Sequence, residues 1–220
     1  SEYLETITAY DDVVSGLYPF KVARDDLKNR FAKTSNFDED CMTALISTGG
    51  KFDNAILIWD ISWTHSYIRG RLKEKKNSTL VRRLEGHNSG VTSILPIPDG
   101  VTLISGCYDG KICVWNTLKS KLLGTIQHHK ANVSGLRLLR CKTRFASASW
   151  DKTICIWKIG YRNISDKSTG IVSDRKIFEG CELEKIIDPN FKILSLNASI
   201  NRKNWIVFGG AINRVIIWDI

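Results

Sequence analysis

Between Gly86 and Asn116 the chain reads GHNSGVTSILPIPDGVTLISGCYDGKICVWN. Its second half is a small-residue apolar run, TLISGC, a turn, YDG, and a β-branched run ending in an aromatic, KICVWN. That order spells strand, tight turn, strand. The same ending recurs as AILIWD (Ala55 to Asp60), TICIWK (Thr153 to Lys158) and RVIIWD (Arg214 to Asp219). Each copy follows its own turn, FDN, WDK or INR, and its own apolar run, ALISTGG, RFASAS or WIVFGG. The upstream half repeats as well. LEGHNSGVTSIL (Leu84 to Leu95) lies over IQHHKANVSGLR (Ile126 to Arg137) without a gap, and YLETITAYDDVVSGL (Tyr3 to Leu17) matches LLGTIQHHKANVSGL (Leu122 to Leu136). Each unit thus holds four strands: an outer one ending near the Gly-His turn, an inner one, and the two already described. Trp59, Trp115, Trp157 and Trp218 mark the register at separations of 56, 42 and 61 residues, so one interval is the bare repeat and two carry insertions.

A four-strand unit of 42 residues has the size of a propeller blade. The chain resembles the WD-repeat β-propellers, whose signature couples a Gly-His dipeptide to a Trp-Asp dipeptide closing the third strand. Gly86-His87, Tyr108-Asp109-Gly110 and Trp115 follow that pattern closely, as do His129, Trp150-Asp151-Lys152 and Trp157. The flanking units depart from it: Tyr10 stands where His is expected, and Asn213 replaces the turn Asp. The resemblance implies an all-β WD-repeat β-propeller, about four blades of a larger ring expected to have seven. The blades fall at 9–85, 86–127, 128–180 and 181–220, with a strand at 3–8 belonging to a preceding blade. Insertions at 19–40, 62–77 and 160–174 all fall in first-to-second or third-to-fourth connections, so one face is elaborated. Ala23–Phe31 within the first reads as a short helix, with Leu27 and Phe31 on one side. Four blades lacking a final outer strand would leave an exposed edge, so the native molecule is expected to continue, in this chain or another.

Composition narrows the function classes. With 220 residues, 43% hydrophobic and 25% charged, 16 Gly and 4 Pro, the chain has a globular composition and can bury a sizeable core. No uninterrupted apolar run approaches the roughly 18 to 20 residues of a membrane span. Ser1 begins neither a signal peptide nor a natural start, so a soluble chain cut from something longer is expected. Lys plus Arg number 32 against 23 Asp plus Glu, a net +9 that favours acidic partners. The cysteines, at 41, 107, 113, 141, 155 and 181, form no C-x-x-C pair and read as free buried thiols. A reducing intracellular setting, cytoplasmic or nuclear, follows. The N-x-S/T matches at Asn77, Asn132, Asn163 and Asn197 are then fortuitous.

Two constellations imitate catalytic triads: His87, Ser105, Asp109 and His129, Ser147, Asp151. By the resemblance they are structural instead. With Trp115 and Trp157 they would form hydrogen-bonded tetrads pinning the turn onto the strands, and their recurrence at the repeat period suits scaffold rather than chemistry. No metal or cofactor is expected. His65, His87, His128 and His129 do not cluster, since neighbours on a strand point to opposite faces. Gly49-Gly50 and Gly209-Gly210 lack the following Lys-Ser/Thr of a phosphate loop.

The residues before each turn Asp or Asn, Phe52, Tyr108, Trp150 and Ile212, are all large and apolar. In the family this position opens onto a face used by partners, and such an arc suits a protein-binding hot spot. Lys111 and Lys152 beside the turns would supply a basic rim selecting acidic partners. On the opposite face Arg69, Arg71, Lys73, Lys75, Lys76, Arg82 and Arg83 form a basic loop suited to nucleic acid or anionic lipid. The expectation is a non-enzymatic scaffold subunit that docks protein subunits or peptide motifs within a multi-subunit assembly. The alternative is nucleic-acid or phosphoinositide binding through the basic loop.

Overall fold

The computed structural model describes residues 14–23, 41–49, 54–60, 79–165, 172–199 and 205–220. The strand expected at 3–8, the helix beyond Ala23 and the insertion at 62–77 lie outside these residues.

Fifteen strands are described, in four antiparallel sheets. The first holds β1 (Val14–Ala23), β2 (Cys41–Gly49), β3 (Ile56–Asp60) and β4 (Thr79–Leu84). The second holds β5 (Val91–Pro96), β6 (Thr102–Cys107), β7 (Lys111–Asn116) and β8 (Lys121–Gln127). The third holds β9 (Val133–Leu138), β10 (Arg144–Ser149), β11 (Ile154–Ser165) and β12 (Val172–Ile187). The last holds β13 (Ile193–Ala198), β14 (Trp205–Gly210) and β15 (Val215–Asp219), and among the described residues β15 is its edge. Strand order within every sheet follows the sequence, as a blade built from successive hairpins requires.

Burial explains why these runs are strands. β6 is buried at all six positions and β7 at its central four, because each is sandwiched between neighbouring blades and must be apolar on both faces. Outermost β8 alternates exposed and half-buried positions instead, the signature of a strand with one wet face. The hydrophobic core therefore lies between blades rather than within one. Ile46, Ile56, Ile58 and Leu84 of the first blade pack on Val91, Ile94, Leu103 and Trp115 of the second. Ile104, Ile112 and Val114 meet Val133, Leu136, Phe145 and Trp157 of the third. Ala146, Ala148, Ile154 and Ile156 meet Ile193, Leu196, Ile206 and Phe208 of the fourth.

Hydrogen bonds reinforce the same seams at repeated positions. Thr92 Oγ1 donates to the Val133 carbonyl at 2.7 Å, and one blade later Ser134 Oγ donates to the Ile193 carbonyl. Each inner strand thereby hooks the first residue of the next.

Two insertions are partly strand. The first begins inside β1, where Pro19–Ala23 pair with Leu45–Cys41. The third extends a hairpin: β11 runs to Ser165, β12 starts at Val172, and bulges at Ile156/Trp157, Gly160/Tyr161 and Asn163/Ser165 keep the two in register. β12 also runs through the boundary expected at 180 and ends at Ile187, so the outer strand of the third blade closes seven residues later than the repeat alone suggests. The extended hairpin shifts that strand's start, and the Gly-His marker that would have located its end is missing.

Candidate functional site

The turns between second and third strands carry the residues singled out by sequence. In the third blade the expected tetrad is complete. Trp157 Nε1 donates to Ser147 Oγ at 2.8 Å, Ser147 Oγ lies 2.7 Å from His129 Nε2, and His129 Nδ1 lies 2.9 Å from Asp151 Oδ2. Because a carboxylate only accepts, the ring proton sits on Nδ1, and Ser147 then donates to Nε2. Thr153 Oγ1 adds a 2.6 Å bond to Asp151, and the Lys130 backbone N–H one of 3.0 Å. Burial alone would raise the Asp151 pKa, but the bonds from Thr153, Lys130 and His129 hold it at about 2. Burial lowers the His129 pKa, against the pull of Asp151.

The second blade differs. His87 Nε2 and Trp115 Nε1 both reach Ser105 Oγ at 2.7 Å, but Asp109 does not bond His87. Its carboxylate accepts from Cys107 and from the Lys111 backbone N–H, with Lys111 Nζ 3.4 Å away. His87 Nδ1 faces Cys113 Sγ at 3.6 Å instead. Two positions differ: where the third blade has Ser149 and Thr153, this blade has Cys107 and Lys111, and both of these engage the Asp109 carboxylate. Without that carboxylate bond, burial pushes the His87 pKa down to about 4. Ser105 and Ser147 are fully buried and each is held between an imidazole and an indole, the arrangement of a brace.

The first blade retains Trp59 Nε1 to Ser47 Oγ at 2.9 Å. In the fourth, Phe208 occupies the position of Ser47, Ser105 and Ser147, and Trp218 is 41% exposed.

The arc of partner-contact candidates is resolved at three of four positions; Phe52 lies outside the described residues. Tyr108 and Trp150 are 44% and 37% exposed, and their rings meet edge to face, centroids 6.4 Å apart at 79°. In the fourth blade the register places Ala211, not Ile212, at the position of Tyr108 and Trp150, its N–H bonding the Lys192 carbonyl as theirs bond those of Gly90 and Asn132. Ile212 is half-buried and lines an open groove with Phe191, Ala211, Asn213, Arg214 and Ile216. Lys111 is engaged by Asp109, so of the two expected rim lysines Lys152 is the exposed one. Of the basic loop, Arg69, Arg71, Lys73, Lys75 and Lys76 lie outside the described residues; on β4, Arg82 is half-buried and Arg83 pairs with Glu85 at 2.6 Å.

Sequence reading passed over Lys192, whose Nζ lies 5.9 Å from the Trp150 ring centroid. It also passed over Asn132, 6% exposed, whose Oδ1 has no hydrogen-bond partner. The signal was available: Gly90, Asn132 and Lys192 are equivalent residues one place before each inner strand, and the Gly90 and Asn132 carbonyls bond the Tyr108 and Trp150 N–H groups. Cys107, Cys113 and Cys155 are free and buried as expected, whereas Cys181 is half-buried and Cys141 is exposed on a turn; the side chain of Cys41 lies outside those described.

Comparison with known proteins agrees with this geometry. A family model described as WD domain, G-beta repeat matches residues 78–116 and 120–158. DDB1- and CUL4-associated factor 13 of Mus musculus is 36% identical over 77 residues, 34% of this chain and 17% of the relative. Its Xenopus laevis counterpart is 31% identical over 109 residues, 48% of this chain and 24% of the relative. The Xenopus tropicalis protein is 31% identical over 123 residues, 54% of this chain and 28% of the relative. The matched stretches thus span less than a third of these relatives. Among solved structures, the WD40 beta propeller domain of Doa1 superposes with a TM-score of 0.59 at 20% identity, over 95% of this chain and 51% of that one. Residues 78–116 and 120–158 are thus WD repeats, and the described sheets fold as blades of a WD40 β-propeller.

Proposed function

We propose that the chain is a non-catalytic protein-interaction scaffold, a subunit of a multi-subunit assembly that docks partners on the face bearing Tyr108 and Trp150. The carrying observation is that pair. Two large aromatics stand exposed at equivalent turns of adjacent blades, in edge contact. Aromatic side chains held rigid by a scaffold and left partly bare bring large contact area at low entropic cost, which is the usual make-up of a binding hot spot. The relatives' name records association with DDB1 and CUL4, and supports a role inside an assembly; an intracellular setting accords with that and with the free thiols.

The test is affinity capture from cell extract with the wild-type chain, with Tyr108→Ala/Trp150→Ala, and with charge reversal at Arg69, Arg71 and Lys73. The proposal expects a defined set of companions, depleted at least about tenfold by the aromatic double substitution, as loss of two hot-spot residues implies. Companions that survive that substitution, but are lost on charge reversal together with bound RNA or phosphoinositide, would replace it with the nucleic-acid or lipid reading.

A further inference from the structure

We infer that the corner of this face between Trp150 and the fourth blade selects a partner segment in which acidic side chains flank an apolar one. The inference rests on the docking-face reading above and adds to it the chemistry of the partner.

Three observations converge. First, Lys192 holds its ammonium over the Trp150 ring, 5.9 Å from the centroid. Such cation–aromatic contact fixes a long side chain in place, so a carboxylate arriving there meets an ordered charge instead of a mobile one. Second, the groove lined by Phe191, Ile212, Arg214 and Ile216 adjoins it. Phe191 precedes Lys192 in the chain, and the Ala211 N–H donates to the Lys192 carbonyl at 3.1 Å. An ammonium and an apolar slot are thus joined by backbone, with a second cation, Arg214, among the residues lining the slot.

Third, the charge balance of the face is positive once ion pairs are set aside. Among its described residues Asp109 and Glu85 are paired with Lys111 and Arg83, while Asp151 and Asp188 are hydrogen-bonded only to neutral groups and keep their charge, which leaves two carboxylates against four cations. Lys130, Lys152, Lys192 and Arg214 are exposed, and of these cations only Lys192 is ring-bound. A partner presenting carboxylates gains complementarity here, and one presenting lysines meets repulsion. A peptide fits better than a nucleic acid. The slot between the cations is walled by isoleucines, and Phe191 is already stacked on Phe208, centroids 6.2 Å apart, which removes the nearest ring from base stacking.

The experiment is fluorescence polarisation with the whole chain and three fluorescein-labelled peptides of equal length, carrying Glu-Leu-Glu, Gln-Leu-Gln or Lys-Leu-Lys between Gly-Ser flanks, beside a labelled oligouridine. The wild type is expected to bind the Glu peptide roughly tenfold tighter than the Gln peptide, with the preference shrinking as salt rises. Lys192→Glu should invert it, favouring the Lys peptide, and Lys192→Gln should abolish it; position 192 is on the surface, and thermal melts would show both variants folded. Equal affinity for the Glu and Gln peptides, an undiminished Glu preference in Lys192→Glu, or tighter oligouridine binding lost in that variant would each overturn the inference. If the Gln peptide binds as well as the Glu peptide, and both need Tyr108 and Trp150, the charge selection fails and the docking face stands. If none of the peptides needs Tyr108 or Trp150, the docking face itself fails.

Discussion

The two best-formed repeats differ in the groups that hold the turn carboxylate. Thr153 lets Asp151 reach His129, whereas Cys107 and Lys111 engage Asp109 in place of His87. Sequence showed which residues occupy the equivalent positions, but not which of two tetrads closes, because that depends on a competition between Cys107, Lys111 and an imidazole for the same carboxylate. The difference has a pH signature. His87, without a carboxylate bond, has its folded-state pKa lowered from 6.5 to about 4 by burial. The unfolded chain therefore binds more protons than the folded one between these values. The stabilisation from keeping this ring neutral is complete above pH 6.5 and is lost as pH falls towards 4, a difference of up to about 3 kcal/mol. Denaturant midpoints at pH 7.5, 6 and 5 should fall progressively in the wild type, and His129, also lowered by burial, contributes to the fall in the same direction. In His87→Asn the slope should be visibly flatter, though the protein is less stable throughout. An unchanged slope would show that His87 is not the group responsible.

At the scale of the element, the tight turns were legible and the long hairpin was not. The dipeptides Asp109-Gly110 and Asp151-Lys152 announce turns from sequence alone because their backbone requires a positive φ: 86° at Gly110 and 77° at Lys152. Gly110 has a second constraint, since a Cβ there would collide with the His129 carbonyl. The β11–β12 hairpin gives no such cue, because the three bulges that hold its register have no residue signature and its midpoint falls outside the described residues. The two turns yield opposite expectations. Gly110→Ala imposes both the strained φ and the collision, and should cost about 2 kcal/mol or more by thermal melting. Lys152→Gly removes a left-handed non-glycine residue and should be neutral or stabilising by up to about 1 kcal/mol, despite the extra freedom glycine gives the unfolded chain. Equal losses at both sites would mean that backbone geometry is not what distinguishes them.

At the scale of the molecule, stability resides in the seams between blades, which makes the chain a one-dimensional array of neighbour contacts. The Trp register made this arrangement readable, since residues equivalent in sequence prove equivalent in packing at Trp59, Trp115 and Trp157. The fourth blade departs from it in two linked places. Phe208 fills the brace position that serine holds elsewhere, and Leu194, 54% exposed, stands where Thr92 and Ser134 hook the following blade. The third blade still hooks it through Ser134 Oγ on the Ile193 carbonyl, and beside that bond the seam is apolar, with Phe208, 2% exposed, its largest buried side chain. Phe208→Ala should accordingly cost about 3 to 5 kcal/mol at that seam. In an array with nearest-neighbour coupling the loss should stay local. Amide exchange should accelerate throughout β13, β14 and β15 and in the facing strand β9, while β5, β6 and β7 keep wild-type protection. Exchange that rises equally in all four sheets would mean that the blades unfold as one unit, and that the coupling between seams exceeds the strength of any one of them.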